Sequence, residues 1–75
     1  MATLNDLRPG QSAAILSIAG APALVQRLYE FGLFEGETVE FVATAPLGDP
    51  IEILTGNTRL SLRKSEAAGI QIQIA

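Results

Sequence analysis

The sequence predicts a mainly β fold with one α-helix: a small, closed or nearly closed barrel of five antiparallel strands, with the helix between the first and second strands. Three observations lead there. Several short segments alternate apolar with polar residues and are separated by turns marked with glycine and proline, the pattern of strands that bury one face. A single stretch, 22–31, instead repeats its apolar residues at helical spacing. Finally, 75 residues are too few for two packed sheets, so one sheet must close on itself to bury a core and remove its exposed edges.

Leu4 to Leu7 is a short lead-in, and Arg8-Pro9-Gly10 is a turn, with proline suited to the first central position. Ser12 to Ile18 is the first strand; the adjacent Ile15 and Leu16 break its alternation and require burial on both faces or a bulge. Pro22 opens the helix where its missing N–H costs nothing, and Ala21 before it cannot accept a bond from the first-turn amides. Leu24, Leu28 and Phe31 fall at i, i+4 and i+7 and face the core, with Val25 and Tyr29 beside them; Gln26, Arg27 and Glu30 stay wet. Gly32 ends the helix in the left-handed conformation, and Leu33 closes an apolar contact back to Leu28. Gly32→Val is therefore expected among the costliest single changes, since that conformation costs an L-residue about 1–2 kcal/mol; a urea unfolding midpoint checks it.

After the turn Phe34-Glu35-Gly36-Glu37, Val39, Phe41, Ala43 and Ala45 alternate with Thr38, Glu40, Val42 and Thr44 in the second strand. Ile51 and Ile53 flank Glu52 in the third. Thr55-Gly56-Asn57-Thr58 is a tight hairpin, and Leu60 and Leu62 alternate with Arg59, Ser61 and Arg63 in the fourth, paired antiparallel to the third. Lys64 to Ala68 allows about one helical turn, Gly69 ends it, and Ile70, Ile72 and Ile74 alternate with Gln71 and Gln73 in the fifth. No repeat, low-complexity tract or linker interrupts residues 1–75, which read as a single domain.

Composition excludes several classes of function. With no cysteine and no histidine there is no disulfide framework and no thiolate or imidazole metal site, so stability must come from packing, oligomerisation or both. No apolar run approaches the roughly 20 residues that span a bilayer, and no basic-then-apolar leader is present, so a soluble cytoplasmic protein is expected. Eight acidic against five basic residues give a net charge of −3, and Arg8, Arg27, Arg59, Arg63 and Lys64 are scattered. Nucleic-acid affinity rests on clustered cations neutralising phosphates, so nucleic acid is not an expected partner.

Nucleophilic catalysis of the triad kind lacks its base, and Glu35, Glu37, Asp49 and Glu52 read as solvated charges rather than an acid–base pair, so no enzyme activity is expected. Leu47-Gly48-Asp49 lacks the repeated glycine and the lysine of a phosphate-cradling loop. No cofactor is expected. Asp49 with Glu52 is the nearest carboxylate pair for weak binding of a hard divalent cation such as Fe²⁺; the plainer reading is a loop aspartate that caps backbone donors. Arg59, Arg63 and Lys64 form either a small basic strip or an ordinary wet face.

The functional expectation rests on Ala45-Pro46-Leu47-Gly48-Asp49-Pro50-Ile51. Pro46 and Pro50 hold φ near about −65° and withhold two backbone donors, so the loop is pre-shaped and loses little entropy when it docks. It lifts Leu47 and Asp49 toward the surface, the competing reading being a plain hairpin connection that folds Leu47 back onto the core. The expected partner-binding residues are Arg27, Pro46, Leu47, Gly48 and Asp49.

Four pieces in the correct order make the chain resemble the FeoA family, small bacterial ferrous-iron transport proteins, over nearly its whole length. They are Leu7-Arg8-Pro9-Gly10, Arg27-Leu28 through Gly32-Leu33, the loop 45–51, and Leu60-Ser61-Leu62-Arg63-Lys64-Ser65-Glu66-Ala67. One departure is Glu35, where the family often has proline before the glycine; it should loosen that turn without threatening the fold. The resemblance implies an SH3-like barrel without enzyme activity, and a cytosolic accessory role beside the membrane ferrous-iron transporter FeoB with its GTP-binding domain. It also implies recruitment to the inner face of the membrane by that partner, and leaves a homo-oligomer open. The same barrel resembles the C-terminal domain of iron- and manganese-responsive repressors of the diphtheria-toxin-repressor type, there fused to a winged helix with no counterpart here. The alternative function is a small ferrous-iron carrier or sensor using Asp49, Glu52 and neighbouring carboxylates. A generic SH3 groove for proline-rich peptides needs clustered aromatics, and Phe31 and Phe41 at expected core positions leave only Tyr29 and Phe34 as exposed rings.

Overall fold

Each segment that alternates apolar and polar residues forms a strand, and its apolar file turns to one shared interior. The structure, a computed structural model, describes residues 2–75. In chain order it comprises β1 (Ala2–Thr3), a 3₁₀ turn (Leu4–Asp6), β2 (Ser12–Ile18), α1 (Pro22–Glu30), β3 (Thr38–Thr44), β4 (Ile51–Thr55), β5 (Thr58–Leu62), α2 (Lys64–Ala67) and β6 (Ile70–Ile74). All pairings are antiparallel, in the order β1-β6-β2-β3-β4-β5.

Six strands, not five, make the sheet, and α1 accordingly lies between the second and third of them. The additional strand pairs Ala2 with Ile72 and Thr3 with Gln71. Two residues are too short to show a period; what forms this strand is the edge of β6 that would otherwise stand unpaired. Directly after it the Asp6 carboxylate accepts from Thr3 N–H at 2.8 Å, and the Thr3 hydroxyl accepts from Asn5 N–H at 3.3 Å. This reciprocal cap turns the chain and drives Leu4 fully into the core.

The interior is built from Ile15, Val39, Phe41, Ile51, Ile53, Leu60, Leu62, Ile70 and Ile72 of the sheet, closed by Leu4, Leu7, Leu28 and Leu33. Fully burying one such side chain stabilises the fold by about 1.5–3 kcal/mol, so this cluster is the main favourable term. The adjacency of Ile15 and Leu16 resolves as a bulge: the register of β2 against β6 shifts between Ile15 and Ser17, and Leu16 is 51% exposed. A second bulge shifts β3 against β4 between Phe41 and Ala43.

Helix α1 has no side-chain cap at Ala21 and carries Pro22 at its first position. Leu28 is buried and Leu24 packs against the core, but Phe31 is 49% exposed, contrary to its expected core position. The reason is geometric: Phe31 is the C-cap, beyond the last helical residue, and the chain reverses at Gly32 with φ +92° before the heptad-like spacing can return it to the core. Gly32 N–H donates to Tyr29 C=O at 2.9 Å and Leu33 N–H to Leu28 C=O at 3.0 Å, the paired bonds of a glycine-terminated helix, and Leu33 is fully buried. Gly69 follows α2 as expected, but its φ is not positive; a Cβ there would collide with the Ala19 carbonyl oxygen. Close backbone approach is what requires glycine at that position.

Candidate functional site

The loop between β3 and β4 is held by its own backbone. Ala45 N–H donates to Pro50 C=O at 2.9 Å across the base, and Gly48 N–H donates to Ala45 C=O at 2.7 Å, closing a β-turn with Pro46 and Leu47 at its centre. Proline at the first central position and glycine after the second are the residues that such a turn selects. The Asp49–Pro50 peptide bond is cis. Leu47, at the tip, is 97% exposed, so the alternative in which it folds back onto the core does not hold.

Asp49 ties this loop to α2. Its Oδ1 accepts from Lys64 N–H at 2.9 Å, satisfying a first-turn donor that the N-cap residue Arg63 has no side-chain acceptor to meet. Glu66 meets another, accepting from Arg63 N–H at 2.9 Å through Oε1. Its Oε2 takes Arg27 Nη2 of α1 at 3.0 Å, with the two side chains 53% and 23% exposed. Arg27 and Asp49 thus line one cleft of about 420 Å³, together with Pro50, Ser61, Arg63 and Glu66. Pro46, Leu47 and Gly48 are not on its walls; they form the turn that rises beside it. The Arg27–Glu66 pair is exposed enough that such a contact is worth about 0–1 kcal/mol, so an incoming carboxylate can take Arg27 over at little cost.

Asp49 and Glu52 are given different partners. Glu52 Oε2 accepts from Arg59 Nη1 at 2.9 Å on the neighbouring strand, while Asp49 is bonded to the Lys64 amide. Among the described residues no three of His, Cys, Asp and Glu gather as a metal cage. Arg63 has no carboxylate partner among the described residues, whereas Arg59 does, so the strip Arg59–Arg63–Lys64 is not uniformly free. Sequence reasoning missed Ser61 and Glu66 as cleft residues; a helix start at Lys64 without a capping side chain was the signal that some remote oxygen had to meet its donors.

Also in the last turn of α1, Tyr29 stacks on Phe34 with ring centroids 5.5 Å apart, and Phe34 is 46% exposed. The Tyr29 hydroxyl donates to both Glu35 oxygens at 3.0 Å. That bond to the carboxylate, with desolvation and the Glu35 charge adding to it, raises the phenol above its ordinary pKa of 10.0. Among the described residues no helix is long and apolar enough to cross a membrane.

The family model of the FeoA domain matches residues 2–74. This chain belongs to the FeoA family. It is 38% identical to FeoA from Chlorobium tepidum, whose solution structure it matches with a TM-score of 0.93 over 97% of this chain and 70% of that one. Against FeoA from Stenotrophomonas maltophilia, solved in complex with zinc and described as an SH3 domain protein, the identity is 35% and the TM-score 0.84, covering 97% of this chain and 91% of that one. The six-stranded antiparallel sheet with its helix is therefore SH3-like. A Porphyromonas gingivalis protein that fuses Fe(2+) transport protein A to the Fe(2+) transporter FeoB is 32% identical over 71 residues, 95% of this chain and 8% of the fusion protein. T. acidophilum IdeR shares the fold, superposing with a TM-score of 0.83 at 18% identity over 96% of this chain and 33% of that one. Relatives of this chain carry the names Fe(2+) transport protein A and iron(II) transport protein A, and the chain spans 8% of the fusion protein's length.

Proposed function

We propose that this FeoA domain is a cytosolic accessory module that docks on the cytosolic part of a FeoB-type ferrous-iron transporter and modulates it, without a resident cofactor. Fe²⁺ is then the transporter's cargo. The observation that carries the reading is Leu47: an aliphatic side chain 97% exposed on a turn whose backbone is fixed from both sides. An apolar side chain held in water on a rigid turn contributes nothing to folding and loses little entropy on binding, which is the description of an interface anchor. Arg27 and Asp49 in the adjoining cleft supply the polar rim, with Pro46 and Gly48 setting the turn. The fusion of the two proteins in the Porphyromonas gingivalis relative supports a FeoB-type partner. The carrier or sensor alternative is less well supported, because Asp49 and Glu52 are committed to Lys64 and Arg59.

Titration calorimetry of the full chain against full-length transporter and against its isolated cytosolic GTP-binding domain, each with and without nucleotide and Fe²⁺, tests the reading. Saturable binding to either form is expected. Absence of binding in every state would overturn it, and saturable Fe²⁺ binding by the chain alone under anaerobic conditions would favour the carrier.

A further inference from the structure

We propose that the outer edge of β5 is a strand-addition site, and that it takes an extended, carboxylate-bearing segment of the transporter's cytosolic part. This rests on the docking reading above and supplies it with a second contact. Strand β5 ends the sheet, and the two-residue turn Gly56-Asn57 fixes its register, pairing Thr58 with Thr55, Leu60 with Ile53 and Leu62 with Ile51. Residues flanking such a turn exchange hydrogen bonds, so Thr58, Leu60 and Leu62 spend their backbone groups on β4. The N–H and C=O of Arg59 and Ser61 then point away from the sheet, and among the described residues nothing accepts from or donates to them.

Both residues line a groove of about 360 Å³ between β5 and α1, with Leu28 and Phe31 on its helix side. Ser61 and Arg27 line both this groove and the cleft beside Asp49, so the two run together along the strand. Phe31, 49% exposed, gives an incoming strand an apolar wall.

Charge selects the occupant. In a chain of net charge −3, three of its five basic residues, Arg27, Arg59 and Arg63, line these two clefts, against two of its eight acidic ones, Asp49 and Glu66. Both carboxylates are bonded within the chain, while Arg63 has no carboxylate partner among the described residues. An extended segment with apolar and acidic residues satisfies the free backbone groups, Phe31 and Arg63 together.

The test is backbone NMR and amide hydrogen exchange on the full chain, titrated with overlapping synthetic peptides covering the transporter's cytosolic segments. An acidic peptide is expected to slow exchange at Arg59 and Ser61 by about tenfold or more, and to lose that effect when its alternate amides are N-methylated. Arg63→Glu is expected to weaken the same peptide about tenfold. Peptide shifts without protection at these two amides, or protection by basic peptides alone, would overturn the inference. So would protection that grows with concentration of the chain alone, which assigns the edge to a second copy. If the intact cytosolic domain binds and no peptide protects the edge, strand addition fails and loop docking stands. If a peptide protects the edge while the intact domain does not bind, the docking reading fails and the edge remains a strand-binding site.

Discussion

At Gly69 a single hydrogen atom decides the packing. The Ala19 carbonyl oxygen occupies the place where a Cβ would stand, and Ala19 N–H donates to Gly69 C=O at 2.9 Å, so the two backbones cannot separate without losing that bond. Gly69→Ala is expected to destabilise the chain by about 1–3 kcal/mol, the range of overpacking in a fitted interior. Urea unfolding checks it, through a lower midpoint at unchanged slope. Tyr29 gives a second test at this scale. Its phenol donates to Glu35, so the folded state favours the protonated form and raises the pKa above 10.0. The stability from this contact is present below the ordinary phenol pKa and is lost as pH rises through the raised one. Ultraviolet titration of the single tyrosine should give an apparent pKa above 10.0 that falls toward it in Glu35→Gln; no fall would mean the carboxylate is not the cause.

Helix α2 is four residues long and meets only part of its first-turn donors from within, and that ties it to the loop. Its donors are met by Glu66 from within and by Asp49 from fifteen residues earlier in the chain. Asp49→Ala is expected to cost about 0.5–2 kcal/mol, the usual loss of a helix cap, and Asp49→Asn much less, since the amide oxygen can still accept. Thermal unfolding of the two variants side by side checks this; equal losses would mean the bond to Lys64 is not what matters. Elements with several turns of period were legible in the sequence. The Ile51–Leu62 hairpin, the Ile70–Ile74 strand and the glycine-terminated helix all follow from spacing and turn residues. Ala2–Thr3 was not legible, because it exists only as the partner of β6. Phe31 was misplaced because helical spacing was extended one residue beyond the helix.

Across the whole molecule, alternation tells which side chains face inward but not which strands are neighbours, and the order β1-β6-β2-β3-β4-β5 lies beyond it. The site divides in the same way. The turn at Pro46-Leu47-Gly48 is local and legible, though its shape alone left open whether Leu47 faced water or the core, whereas the cleft gathers Arg27, Asp49, Ser61 and Glu66 from distant parts of the chain. Only the rolled sheet, with β5 at one end beside α1, brings them into one place. Cleft and free strand edge share Arg27 and Ser61, and the turn adjoins the cleft through Asp49 and Pro50, which is why we propose the docking surface on that side.

The most direct measurement pairs folding with binding in one variant. Leu47→Ala should unfold within about 0.5 kcal/mol of the unaltered chain, because a side chain 97% exposed supports nothing within it. Its affinity for the transporter's cytosolic part should fall by about 2 kcal/mol or more, as for a true interface anchor. Unchanged affinity at unchanged stability would contradict the assignment of this loop as the docking element.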